Sequence, residues 1–368
     1  MILKRFRAKD FRNIESCDIE FAPGVNLLHG KNAQGKTNAL EGIYLFSRGK
    51  SFRGRDDAEL IRFGCEGFRI SLDFEDKDGE NSLEYALYGK DRLRKKNGYK
   101  VKKVTDLIDS FKAVLFYPDN LRLIKGGPDE RREFLNVAVS QCYPSYISFY
   151  SDFKKALENR NCLLKLSSKG FYIDDGELLS WSESLAEYSS YIYVMRKKYI
   201  ERIKGYARDI MKDISDGGEE LYLAYESSVC IDSDEREAVK REYIRLYTEH
   251  TEREKAAGTT LHGPHRDDII IEINGRDARK FASQGQQRST VLSMKLAEGE
   301  VIREMIGEYP VFLFDDVLSE LDEKRKKYVL SGAGERQIII TSCEPDECRG
   351  FDYNEIDVSG GVYVSSHR

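Results

Sequence analysis

The chain has 368 residues, of which 33% are charged and 40% hydrophobic, and a formal net charge of −5 at pH 7. That length allows one large or two ordinary domains with sizeable cores, and the acidic balance excludes a general attraction to nucleic acid, so any polyanion contact must come from a local basic patch. No apolar run reaches membrane-spanning length, Met1-Ile2-Leu3-Lys4-Arg5 has no apolar signal core, and the seven scattered cysteines form no C-x-x-C pair, which together point to a reduced cytoplasmic protein and not to a disulfide or zinc scaffold.

In chain order, Leu3 to Phe6, Ser16 to Phe21 and Val25 to Leu28 alternate as short strands. Gly30-Lys31-Asn32-Ala33-Gln34-Gly35-Lys36-Thr37 follows, matching G-x-x-x-x-G-K-[ST], and Asn38 to Leu45 reads as a helix. The glycines let successive N–H groups turn inward and, with the helix N-terminus, cradle phosphate oxygens. Lys36 places a cation at the β/γ-phosphates of ATP, and the Thr37 hydroxyl is a ligand for Mg²⁺.

Residues 68–103 read as an antiparallel meander with hairpin turns at Asp78-Gly79 and Asn97-Gly98. Its second hairpin carries Lys90, Arg92, Arg94, Lys95, Lys96, Lys100, Lys102 and Lys103. It is either a solvated hairpin or a contact for a phosphate backbone. Ala113 to Phe116 is a buried strand. From Pro128, Pro144, Glu177 and Asp234 onward the pattern is helical, with a short strand pair near Leu221 to Val229. Trp181, Tyr188 and Tyr191 fit packing within this helical part, and Arg131 and Arg132 fit ion pairs there. Asp268 to Ile273 is a strand, Gly285 to Met305 a helix, and Val311 to Phe314 and Gln337 to Thr341 are apolar runs suited to parallel strands covered on both faces.

Val311-Phe312-Leu313-Phe314-Asp315-Asp316 has the form of a Walker B strand. There Asp315 helps hold Mg²⁺ and Asp316 orients or deprotonates the attacking water. Ser283-Gln284-Gly285-Gln286 opens a helix and presents free N–H groups to an anion, or is a plain helix cap. Ser319-Glu320-Leu321-Asp322 read alone is a polar turn opening the next helix.

The order of the four motifs resembles an ABC-type ATPase head. That resemblance implies an α/β fold, with a phosphate loop at Gly30, Lys31, Asn32, Ala33, Gln34, Gly35, Lys36 and Thr37. It also implies a composite site, in which Ser283, Gly285 and Gln286 of a second copy cap the γ-phosphate. Longer blocks resemble the RecF family of bacterial recombination mediators. They are Asp10-Phe11-Arg12-Asn13, Gly30 to Glu41, Tyr117-Pro118-Asp119-Asn120-Leu121, Lys125-Gly126-Gly127-Pro128, Arg131-Arg132-Glu133-Phe134-Leu135, Arg160-Asn161 with Leu163-Leu164-Lys165, His262-Gly263-Pro264-His265-Arg266-Asp267-Asp268, Phe281-Ala282-Ser283-Gln284-Gly285-Gln286-Gln287-Arg288 and Phe314 to Asp322.

The family resemblance implies a P-loop ABC-type ATPase head made of 1–120 and 255–368, with an antiparallel β subdomain, and an inserted, mostly helical arm over 121–254. Arg12 and Asn13 join the nucleotide site by the same resemblance. His262 and His265 read as polar contacts beside the nucleotide interface and not as metal ligands. Implied too are ATP-dependent DNA binding, an ATP-dependent homodimer, slow DNA-stimulated hydrolysis, work with RecR and RecO in loading RecA at gaps, and no membrane partner. Ala33 departs from the glycine frequent in the family. Asn136 departs from its usual aspartate. No switch histidine follows the last core strand, where Thr341 and Ser342 stand, and no residue of 46–65 is assignable as a Q-loop. A transporter-type ATPase subunit and a nucleotide-sensing scaffold without useful turnover are the competing readings.

Overall fold

The computed structural model describes residues 1–54, 56–229, 231 and 233–367. In chain order come β1 (Ile2–Phe11), β2 (Ile14–Glu20), β3 (Val25–His29), α1 (Lys36–Arg48), β4 (Gly67–Asp76), β5 (Gly79–Tyr88), β6 (Asp91–Lys96), β7 (Tyr99–Lys100), α2 (Thr105–Ser110) and β8 (Ala113–Phe116). The helical stretch holds α3 (Arg122–Lys125), α4 (Pro128–Cys142), α5 (Ser145–Ser168), α6 (Asp175–Ile214), β9 (Leu221–Glu226), α7 (Arg236–Glu249), α8 (Thr251–Ala257), β10 (Asp268–Ile273), β11 (Arg276–Asp277) and α9 (Ala278–Phe281). The chain closes with α10 (Gln284–Ile306), β12 (Val311–Asp315), α11 (Glu323–Ser331), β13 (Ile338–Ser342), β14 (Tyr353–Ser359) and β15 (Val362–His367).

Two compact units result: residues 1–121, 206–219 and 283–368 form the first, and 122–205 with 220–282 form the second. In the first, one six-stranded sheet runs β2-β1-β4-β5-β6-β7 and is antiparallel throughout. The other runs β15-β14-β3-β13-β12-β8, with the strands from β14 to β8 parallel and β15 antiparallel at the edge. The apolar runs Val311–Phe314 and Ile338–Ile340 are buried throughout, as parallel strands covered on both faces require. Helix α1 packs against β1 and against β8, β12 and β13. It is therefore buried nearly all round, and Gly42 lets it approach β1, since a Cβ there would meet the Phe6 ring at 2.5 Å. The fold class is the expected α/β one.

The boundaries expected at 120 and 254 differ from this division in two places. Residues 206–219, which hold the last turns of the 40-residue α6 and the segment after it, fall in the first unit. Residues 255–282 fall in the second, because β10 pairs along its whole length with β9. The strand pair expected near Leu221 to Val229 is corrected by the same pairing: β9 is a single strand whose partner lies in β10. The helix expected from Asp234 to Ala256 is broken at His250 into α7 and α8.

In the second unit Arg131 makes a two-pronged pair with Asp268 at 2.6 and 2.7 Å, and Arg132 pairs with Asp129 at 2.7 Å. Both arginines are thus ion-paired. Tyr191 stacks on Phe149 at 4.0 Å and Tyr188 meets it edge-on. His265 bonds the Thr260 carbonyl, and burial pushes its pKa down to about 4. His262 packs on the His250 ring at 4.7 Å. These histidines take part in the second unit's packing. Six cysteines are free thiols; Cys230 lies outside the described residues. Among the described residues no helix is long and apolar enough to cross a membrane.

Candidate nucleotide site

The phosphate loop leaves the C-terminal end of β3 and enters α1. Gly30 has φ 153° and a Cβ there would sit 2.2 Å from the Val358 carbonyl oxygen, so only glycine fits between β3 and its neighbour β14. Gly35, with φ 111°, caps α1 without a side-chain bond, which leaves first-turn N–H groups open to an anion. Ala33 has φ 63°, a left-handed conformation that explains why glycine suits this position and that costs alanine about 1 kcal/mol.

Lys36 is 4% exposed, and its Nζ donates to the carbonyls of Gly30 at 2.6 Å and Lys31 at 3.1 Å. It therefore spans the mouth of the loop. Thr37 Oγ1 donates to Asp315 Oδ1 at 2.8 Å, joining residues 278 apart in sequence. Thr341 Oγ1 donates to the same carboxylate oxygen at 2.8 Å and accepts from the Asp316 N–H at 3.1 Å. A hydroxyl and a carboxylate oxygen converging at the loop are the hard oxygen donors that Mg²⁺ takes, so the residues fit that ion.

Burial raises the pKa of Asp315 against the hydrogen bonds from Thr37 and Thr341. Burial raises Asp316 as well, opposed by the Lys36 charge. Asp316 holds a left-handed φ of 52°, strain of a kind that collects at functional positions, and it borders a cavity of about 560 Å³ shared with Ser319, Lys326 and Ser342. A raised carboxylate pKa means that the ionised form costs fold stability at neutral pH. Asp315→Asn is therefore expected to raise the ligand-free Tm while removing the Mg²⁺-dependent part of ATP's thermal shift. Differential scanning fluorimetry with and without Mg²⁺ reads both, and a lowered Tm would contradict the sign.

Arg12 turns onto Glu41, Nε to Oε2 at 3.0 Å and Nη2 to Oε1 at 2.8 Å, and donates to the Glu59 carbonyl at 2.8 Å. Glu41 is fully buried in α1. Burial would raise its pKa, but hydrogen bonds from Arg12, Arg53 and Ser51 outweigh that and hold it below the usual range. Asn13 Nδ2 donates to the Ala33 carbonyl at 3.0 Å, and its Oδ1 accepts from Asn38 at 2.5 Å. Arg12 and Asn13 thus stand beside the loop, and Asn13 bonds it directly.

Sequence reasoning missed three supports of the loop. Gln34 accepts from the Gly360 N–H at 2.5 Å, and Tyr363 OH donates to the Gly35 carbonyl at 3.1 Å, so the β14–β15 hairpin braces it. Cys343 Sγ donates to Asn32 Oδ1 at 2.8 Å. Glu41 had a signal: a carboxylate one helical turn after Thr37, on a helix otherwise rich in apolar residues.

The signature segment is elsewhere in the same unit. Ser283 caps α10 in a reciprocal capping box with Gln286, and Ser283, Gln284 and Gly285 are exposed. Helix α10 packs on β8, which is three strands from β3, or roughly 14 Å across the sheet. Among the described residues no hydrogen bond or ion pair joins Ser283, Gly285 or Gln286 to the phosphate loop. Asp322 caps α11 by accepting from the Arg325 N–H at 2.9 Å, as a plain turn would. The turn is nonetheless tied to α10: Arg288 pairs with Glu320 at 3.3 Å, and Arg325 Nε donates to Ser289 at 2.9 Å.

The family profile of the RecF/RecN/SMC N terminal domain matches residues 2–356. The DNA replication and repair protein RecF of Clostridioides difficile is 37% identical over 97% of this chain and 96% of its own length. That of Halalkalibacterium halodurans is 38% identical over 97% and 95%. Among solved structures, the recombination mediator protein RecF of the RecFOR pathway in its ATP form superposes with a TM-score of 0.90 at 34% identity, covering 99% of this chain and 97% of that one. An Smc head domain with an extended coiled coil from Pyrococcus furiosus shares the fold at a TM-score of 0.57 and 19% identity, covering 100% of this chain and 96% of that one. The chain belongs to the RecF family of DNA replication and repair proteins.

Proposed function

We propose that this protein is an ATP-switched DNA clamp: two copies close on ATP, hold DNA at single-strand gaps and stalled forks, and open on slow hydrolysis. The observation that carries the reading is the 2.8 Å contact between Thr37 and Asp315, which joins the phosphate loop to the Walker B strand. The family implies cooperation with RecR and RecO in loading RecA.

The chemistry follows from the side chains. Lys36, held at the loop mouth by the Gly30 and Lys31 carbonyls, supplies a point charge to the phosphate chain there. Thr37 and Asp315 would hold Mg²⁺, which would supply positive charge to offset that of the phosphates. Asp316, its pKa raised by burial, is a base closer to the working pH than an ordinary carboxylate and takes a proton from the attacking water. Thr341 orients the Asp315 carboxylate and ties down the Asp316 backbone N–H.

The absence, among the described residues, of any hydrogen bond or ion pair from Ser283, Gly285 or Gln286 to the phosphate loop supports completion of the site by a second copy. The exposed N–H groups of Gln284 and Gly285 suit a γ-phosphate presented from outside. Ser283→Arg is expected to abolish ATP-dependent dimerisation in light scattering while leaving ATP binding by the monomer within about twofold. Normal dimerisation of the variant would remove Ser283 from the composite site. The reading as a whole is tested by binding of gapped duplex DNA with and without ATP, where equal affinity in both conditions would sink the switch.

A further inference from the structure

The hairpin β6–β7 forms the outer edge of the antiparallel sheet and is not used by the nucleotide site. Of its eight cations, three have partners. Arg92 pairs with Asp57 at 3.1 Å, Lys95 with Glu84 at 3.5 Å, and Arg94 lies over the Tyr85 ring at 5.4 Å. Among the described residues no carboxylate stands within ion-pair distance of Lys90, Lys96, Lys100, Lys102 or Lys103. Lys95 and Lys100 are directly opposite across the two strands, and Glu84 on β5 offsets the charge of Lys95 but has no ion pair to Lys100.

Lysines on an edge strand also discourage sheets from pairing edge to edge. That explanation fails for Tyr99. The turn at Asn97 and Gly98, with φ 50° and 81°, delivers Tyr99 to the edge, where it is 80% exposed. A bare aromatic ring defeats the purpose of a charged, protective edge. A ring among unpaired lysines does match single-stranded nucleic acid, which offers phosphates to the cations and a base face to the ring.

We infer that the β6–β7 hairpin is the DNA contact that recognises unpaired strand, with Lys96, Lys100, Lys102 and Lys103 on phosphates and Tyr99 stacked on a base. This rests on the DNA-binding reading above and adds where, and through which chemistry, the strand is held. An acidic protein partner would use the lysines and leave DNA affinity unchanged.

The test is fluorescence anisotropy with full-length protein and ATP, using a duplex with a single-stranded tail and the matching blunt duplex over a salt series. Replacing Lys96, Lys100, Lys102 and Lys103 with glutamine is expected to weaken both substrates and to flatten the salt slope by about 1 for each phosphate that the variant no longer neutralises. Tyr99→Ala is expected to weaken the tailed substrate roughly tenfold and leave the blunt one and the slope unchanged, and Tyr99→Phe to restore it. DNA-independent ATP hydrolysis stays at the wild-type level in each, which confirms folding. Wild-type affinity and slope in the lysine variant overturn the contact. An equal loss on both substrates in Tyr99→Ala overturns the stacking. A wild-type protein that binds neither DNA overturns the DNA reading itself.

Discussion

Lys36→Ala is expected to lower ATP hydrolysis by a hundredfold or more, on the order of what removal of one preorganised charge stabiliser does. The side chain is 4% exposed and held by two loop carbonyls, so its ammonium is preorganised at the loop mouth before nucleotide arrives. Alanine removes that charge and leaves the N–H groups of the loop and Thr37 in place. The variant keeps its fold, because Gly30, Gly35 and the supports from Asn13, Gly360 and Tyr363 do not involve the lysine. Phosphate release measures the first effect. Thermal shift measures the second: ATP at a hundred times its Kd protects the wild type by about 2.7 kcal/mol, and the variant loses most of that. Retention of half the wild-type rate would exclude Lys36 from the chemistry.

The largest stability effect is expected in the second unit. Arg160 and Glu254 are both fully buried and pair at 2.6 Å. The guanidinium also donates to Thr260 at 2.8 Å and to Ser182 at 2.9 Å and lies over the Tyr247 ring at 4.7 Å. Glu254→Ala leaves this cation buried without a counter-charge, at a cost of about 3–5 kcal/mol. The Leu261 N–H, which donates to Glu254 at 2.7 Å, loses its acceptor too. Urea unfolding followed by Trp181, the one tryptophan, reads this unit directly, since its neighbour Ser182 bonds Arg160. Replacing both Arg160 and Glu254 by methionine is expected to cost less than the single change, because no charge is stranded. A single-variant cost under about 1 kcal/mol would contradict the account.

Arg160-Asn161 shows how a sequence block can be legible as a family mark while its physical role is not. Read along the chain, it is an arginine and an asparagine on a helix. In the fold Asn161 accepts from the backbone and hydroxyl of Thr260 at 2.8 Å each, and Arg160 reaches Glu254. Neither partner can be inferred from helical periodicity, because each lies more than ninety residues away. The same holds for Arg131, whose partner Asp268 is 137 residues on.

What the sequence determined by itself was the phosphate loop and the two acids at the end of β12. Those depend on local needs: glycine where φ is positive at Gly30 and Gly35, a cation and hydroxyl at fixed offsets, and an apolar run that must be covered on both faces. The tertiary structure alone decided that Thr37 meets Asp315, that the C-terminal hairpin braces Gln34 and Gly35, and that residues 255–282 fold with the second unit. The reason is range. Backbone conformation and helix or strand period are set by near neighbours, whereas these pairings depend on strand order and on side chains hundreds of residues apart, and strand order leaves no mark in any local stretch of sequence.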